Sequence, residues 1–313
     1  MSLSVGDLWS YLTRRILQAI PVVFGVLVVT FAVTRFTPGD PAEIMAGLEA
    51  SPETIERIRV ELGLDRPLLT QFGIYLSGVV RGDLGASYFL GRDVTELIGE
   101  ALPRTAWLAL VALAFTAIVG VPAGIVSAVR RDSWVDLTAR SSALAGVSIP
   151  PFFAGLLAIL VFSYYVPWFP SFGSGTWRHL VLPGITLGLF STGLVMRLTR
   201  SAMLDVLDQD YIRTARAKGL SERSVLYVHA LRNAALPIIT VLGLQLGGLL
   251  SGTVLTETVF SYPGIGRLLA RSIFERDYPV VQGLILLIAV IYLAVNLLVD
   301  LVYAAVDPRI RYR

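Results

Sequence analysis

The sequence predicts an all-α, polytopic membrane protein with six transmembrane helices. Of its 313 residues, 55% are hydrophobic and only 16% charged, where soluble domains carry about 25% charged residues; the mean hydropathy is +0.69. Six charge-free runs stand out: Ile16–Thr34, Thr105–Val129, Ser141–Trp177, Leu180–Met196, Asn233–Thr256 and Tyr278–Val299. Crossing a bilayer takes about 17 to 25 apolar residues. The basic residues concentrate in alternate connecting segments, as the positive-inside rule requires.

The first run follows Arg14-Arg15, as a secretory leader would. Its 19 uncharged residues exceed a leader's apolar region of about 7 to 15, and no small-x-small cleavage site follows. It is read as a retained span. The long segment 35–104 then lies outside and carries short amphipathic helices. Ser51-Pro52-Glu53 is a helix start, with Ile55, Ile58 and Leu62 at helical spacing and Gly63 ending the run. Pro67 opens a second helix, with Phe72, Leu76 and Val79 on one face and Gly82 after it. Asp93 to Leu102 is read as a third.

The second span leads to an inner turn flanked by Arg130, Arg131 and Arg140. The third covers roughly residues 138 to 166. Pro150-Pro151 removes two backbone donors there and predicts a kink or break, while Tyr164, Tyr165 and Trp168 belong at headgroup depth. Arg197 and Arg200 end the fourth span and are expected to snorkel to the inner headgroups. On the fifth span, Gln245 stands among Gly243, Gly247, Gly248 and Gly252, a small-residue face that permits close helix packing or could line a passage. Asn296 and Asp300, four residues apart, share a face of the sixth. The tail carries Arg309, Arg311 and Arg313. Both termini are expected inside.

Between the fourth and fifth spans lies a basic segment within the inner loop 203–237. Arg213, Arg216, Lys218, Arg223 and Arg232 fall in it. Tyr211 to Lys218 reads as a helix, Gly219 can take the left-handed conformation that ends one, and Ser221 can cap the next. A helix–turn–helix between two spans exceeds what a connection needs and is shaped to meet a partner.

Several functions are excluded by composition. There is no Cys, hence no disulfide, thiolate metal site or Cys nucleophile. His179 and His229 form no ligand pair, so no metal site is expected. Lys218 is the single lysine and fits no G-x-x-x-x-G-K-[ST] pattern, so this chain carries no P-loop. No catalytic residues are expected: the chain is not an enzyme. The net charge of +3 does not point to nucleic acid. A secondary transporter would need ionisable residues near mid-membrane, which are not found; it stays as a remote alternative.

The sequence resembles the permease subunits of binding-protein-dependent ABC importers, in the dipeptide, oligopeptide and nickel branch. The resemblance runs nearly end to end. It rests on LTRRILQAIPVVFGV, FTPGDPA, ELGLDRPLLTQFGIYL and RGDLGASY in the first third, then RTARAKGL, HALRNAALPIIT, ETVFSYPGIGRLL, RDYPVVQG and the tail DPRIR. It implies a type I ABC-importer permease fold in one membrane domain, 1–313. In that family an inner motif of E-A-A, three residues, G, and later L-P forms the coupling helices that sit in a groove of the ATPase. Gly219 fits the glycine, Ala215 the second alanine and Leu236-Pro237 the final pair. Arg213 stands where the general motif has Glu and Thr214 where it has the first alanine, which removes any glutamate contact. The coupling residues implied are Arg213, Thr214, Ala215, Lys218, Gly219, Leu220, Ser221 and Ser224. The implied partners are a second related permease, two ABC ATPases that bind ATP and Mg (no cofactor in this chain), a substrate-binding protein and the bilayer of the cytoplasmic (inner) membrane. The implied cargo is short peptides, with a nickel chelate or glycoside as the alternative.

Overall fold

A computed structural model describes residues 5–47, 49–251 and 253–306. Among them there is no β-strand. The order is α1 (Val5–Phe36), α2 (Pro41–Ala46), α3 (Pro52–Glu61), α4 (Leu68–Val80), α5 (Val94–Val129), α6 (Trp134–Ser148), α7 (Pro151–Ile159, running on as a π-helical turn through Tyr165), α8 (Arg178–Leu207), α9 (Asp210–Ala217), α10 (Glu222–Ser224, followed by a π-helical turn, Val225–Ala230), α11 (Leu231–Ser251), α12 (Val254–Val259), α13 (Ile265–Glu275) and α14 (Tyr278–Val306). Gly252 and the tail motif DPRIR with Arg309, Arg311 and Arg313 lie outside the described residues.

Five helical stretches are long and apolar enough to cross a membrane: Tyr11–Phe36, Val94–Val129, Arg178–Leu207, Glu222–Leu250 and Tyr278–Leu301. The sixth expected span is the pair α6 and α7, which meet at a 98° bend. The Pro150-Pro151 pair explains the break. Ile149 before it is extended, with φ −81° and ψ 123°, as a residue preceding proline prefers, and the ring nitrogens cannot continue the helical ladder.

The chain divides into two compact units. One contains 9–105 and 263–293. Its core joins Val94, Leu97, Ile98 and Ala101 to Ile265, Leu269, Val280 and Leu284. Ser51 caps α3 by accepting from the Thr54 N–H, and Gly63 and Gly82 lie in the left-handed region. Asp40 caps α2 through the Ala42 N–H at 2.8 Å and binds Arg59 through its other oxygen at 2.6 Å. The expected third outer helix, Asp93 to Leu102, is not separate. It is the first part of α5, which continues through Pro103 without interruption.

The other unit contains 106–262 with the described parts of 1–8 and 294–313. Its tightest seams are made by glycines. A Cβ on Gly120 would stand 3.1 Å from the Thr192 carbonyl oxygen, and one on Gly188 would stand 2.7 Å from that of Ala112. Gly124 and Gly184 are equally crowded, so α5 and α8 touch backbone to backbone. Thr116 bridges them by donating to the Gly188 carbonyl at 3.1 Å. The two spacings, Gly120-x-x-x-Gly124 and Gly184-x-x-x-Gly188, are the small-residue pattern that lets apolar helices approach closely in lipid.

Candidate coupling site

The basic loop between α8 and α11 folds as a hairpin of short helices. In α9 the Thr214 hydroxyl donates back to the Asp210 carbonyl at 3.0 Å. Arg213 lies 3.3 Å from the Asp210 carboxylate. The helix ends at Lys218 because Gly219 takes φ +77°. The Gly219 N–H then reaches the Arg216 carbonyl (2.9 Å), and the Leu220 N–H reaches that of Ala215 (3.3 Å). These two bonds are the pair that closes a helix through a left-handed glycine. Such a cap commonly tucks the next apolar residue against the helix, yet Leu220 stays 41% exposed. Ser221 opens the second arm by accepting from the Ser224 N–H, and Arg216 ties the arms together through Glu222 at 2.7 Å.

One face of the hairpin is anchored. Ile212 and Ala215, three residues apart on α9, are buried with Val225, Ala230 and Ala234. That cluster also takes in Ile125 and Ala128 of α5 and Met203 of α8. Burying an aliphatic side chain such as Ile212 is worth about 1.5–3 kcal/mol. Ala215 therefore serves the base of the loop, not its surface. The opposite face is exposed: Tyr211, Arg213, Thr214, Arg216, Lys218, Gly219, Leu220, Ser221 and Arg223, followed by Tyr227 and Val228. Ser224 is half-buried. A Cβ at Gly219 would meet open space, so only backbone conformation calls for glycine there.

Beside this base lies a buried ion pair that sequence reading missed. Asp136 is fully buried and takes two parallel bonds from the Arg200 guanidinium, Nε to Oδ1 and Nη2 to Oδ2, each 2.8 Å. Ser127 Oγ donates to Oδ1 and the Asp132 N–H to Oδ2 at 3.0 Å. Arg140 adds a cation at 3.4 Å. Arg200 thus does not snorkel to the headgroups as expected. A fully buried carboxylate needs a charged, geometrically matched partner, and the forked guanidinium supplies one. Arg197 remains exposed. Ser127 precedes Ala128 and Arg200 lies three residues before Met203, so the clamp fixes the same helix ends that seat Ile212.

The glycine face of α11 divides. Gly243 packs on α14: a Cβ there would come within 2.8 Å of Val299 Cγ2. It also borders a partly open apolar cavity of about 170 Å³ with Leu236, Leu246 and Val295. This part is a packing seam. Gln245 is half-buried and Gly247 buried, while Gly248 is exposed with open space around its Cα.

Two family profiles cover most of the chain. The one described as "Binding-protein-dependent transport system inner membrane component" matches residues 120–312, and its N-terminal companion matches 8–109. The chain belongs to this permease family. The permease is 49% identical over 307 residues to a putative peptide transport system permease protein of Brucella abortus, covering 96% of this chain and 98% of that one. It is 44% identical over 304 residues to the glutathione transport system permease protein of Escherichia coli K12, covering 97% and 99%. Among solved structures it resembles the MetNI methionine ABC transporter in inward-facing conformations, with a TM-score of 0.58 at 19% identity over 67% of the permease and 96% of that chain. That likeness establishes the ABC-importer permease fold. The family description makes this permease a transport component of the inner membrane, in keeping with the five described helical stretches long and apolar enough to cross one.

Proposed function

We propose that this permease forms half of the translocation pathway of an ATP-driven importer of short peptides, with its hairpin at 210–230 seated in a groove of an ATPase subunit. The observation that carries the coupling role is the two-sided hairpin. One face is buried on α5 and α8, and the other presents Arg213, Lys218 and an exposed Leu220. A rigid hairpin with a free apolar and basic tip transmits a partner's displacement to the spans it rests on. The peptide cargo is supported by the names of the Brucella and Escherichia relatives, both peptide or glutathione permeases over nearly their full length.

In this reading a sister permease completes the pathway, two ATPases bind ATP and Mg, and a substrate-binding protein delivers cargo outside. Both termini are cytoplasmic. The chain has no Cys, so Asp65→Cys should react with an impermeant thiol reagent on intact cells and Arg131→Cys should be protected; the reverse pattern would overturn the topology. Reconstitution of both permeases and both ATPases in liposomes with the binding protein tests the cargo. ATP-dependent uptake of labelled di- to pentapeptides is expected, whereas uptake of a nickel chelate without peptide would move the assignment to the metal branch. Ion-gradient-driven uptake by the permease alone would refute the reading.

A further inference from the structure

The unit built from 9–105 and 263–293 contains an open cavity of about 350 Å³ with a mixed polar and apolar lining, bordered by α4, the loop after it and the start of α14. This is within the range of small-molecule sites, about 300–1,000 Å³. Among its lining residues are three buried side-chain atoms without a hydrogen-bond partner among the described residues: Arg35 Nε, Gln71 Oε1 and Tyr75 Oη. Buried polar atoms are nearly always paired, and each orphan calls for an explanation.

Their surroundings hold these groups in place. Gln71 is 8% exposed, and its amide nitrogen is committed to the carbonyls of Leu64 (3.2 Å) and Arg66 (2.7 Å), which leaves Oε1 as the acceptor. The Arg35 guanidinium lies 5.4 Å from the ring centres of both Phe31 and Tyr278. Tyr75 stacks on Phe31 at 6.2 Å. Burial pushes its hydroxyl up to about 12, so it keeps its proton and can donate. Nearer the solvent the cavity is bordered by exposed Glu61, Arg66 and Asp83. With Arg35 these make two cations and two anions, a lining without net formal charge.

We infer that this cavity binds a small zwitterion. Its anionic oxygens meet Arg35 and Tyr75, its N–H donor meets Gln71 Oε1, and its ammonium group is compensated by Glu61 and Asp83. A free short peptide and a phosphatidylethanolamine headgroup share this chemistry. The inference stands on the cavity's own groups and does not depend on the import reading.

The test uses the full-length chain in lipid nanodiscs and reads binding without ATP, so its failure leaves the transport assays untouched. One arm measures equilibrium binding of labelled dialanine, with N-acetyl-dialanine amide as the uncharged control, in phosphatidylcholine discs. The other uses native mass spectrometry to compare retention of phosphatidylethanolamine and phosphatidylcholine. In one arm the zwitterion with a free amine should be selected over its control. Tyr75→Phe should weaken that binding about tenfold with an unchanged melting temperature, and Arg35→Gln should abolish it. Should Arg35→Gln fail to fold, Tyr75→Phe alone decides. Absence of selectivity in both arms, or undiminished binding by Tyr75→Phe, would overturn the proposal.

Discussion

Asp136 and Asp277 are both aspartates, buried almost equally at 0% and 1% exposure, and they are satisfied in opposite ways. Asp136 meets a forked Arg200. Asp277 has neutral donors: Ser87 Oγ on Oδ2 and the Tyr88 N–H at 3.1 Å on Oδ1. It also stands at the start of α14, where its carbonyl accepts from the Val281 N–H at 3.0 Å. Its charge is therefore balanced by the helix dipole and by oriented N–H and O–H groups. The ion pair cross-links α6 and α8 at the base of the 210–230 hairpin. The neutral arrangement pins the RGDLGASY loop to a helix start. A charged clamp fails as a whole when one partner is lost, whereas a dipolar one degrades gradually.

That contrast can be broken by experiment. Asp136→Ala leaves Arg200 buried and uncompensated, so it should cost about 3 kcal/mol or more, read as a lowered melting temperature in detergent and weakened assembly. Pairing Asp136→Leu with Arg200→Met should recover part of that loss, because replacing a buried ion pair by apolar groups is often nearly neutral. Next in size is Gly219→Val. A β-branched residue held at φ +77° costs about 1–3 kcal/mol, and faster amide exchange should be confined to residues 210–230. Asp277→Asn keeps an acceptor for the Tyr88 N–H and a donor for Ser87, so less than about 1 kcal/mol should be lost. Equal losses for Asp136→Asn and Asp277→Asn would contradict the distinction. Smallest in stability is Leu220→Ser, within about 0.5 kcal/mol for an exposed site, although ATP-driven uptake should fall sharply if the tip engages an ATPase.

Local chemistry was the legible part of this molecule. Ser51-Pro52, Pro67, Gly63, Gly82 and Gly219 mark their helix ends through backbone preferences that act within a few residues. The hairpin could be drawn from Gly219 and Ser221 alone. Long-range pairing was not legible: Asp136 and Arg200 are 64 residues apart, and nothing local distinguishes a paired arginine from one that snorkels. The continuity of α5 through Pro103 was missed because proline is also a common first-turn residue. The α5–α8 seam does leave a signal in its two G-x-x-x-G spacings, Gly120 to Gly124 and Gly184 to Gly188. At Gly243 the structure shows packing against Val299, a choice between packing and passage that composition leaves open.

Coupling through the hairpin tip is most directly measured by cross-linking. The permease, with Leu220→Cys as its only cysteine, would be assembled with its sister subunit and two ATPases carrying a cysteine in the receiving groove. Disulfide formation should be efficient, and its yield should change when ATP is bound and again after hydrolysis. No cross-link at 220, or at any position from 213 to 227, in a complex that still transports would contradict the account.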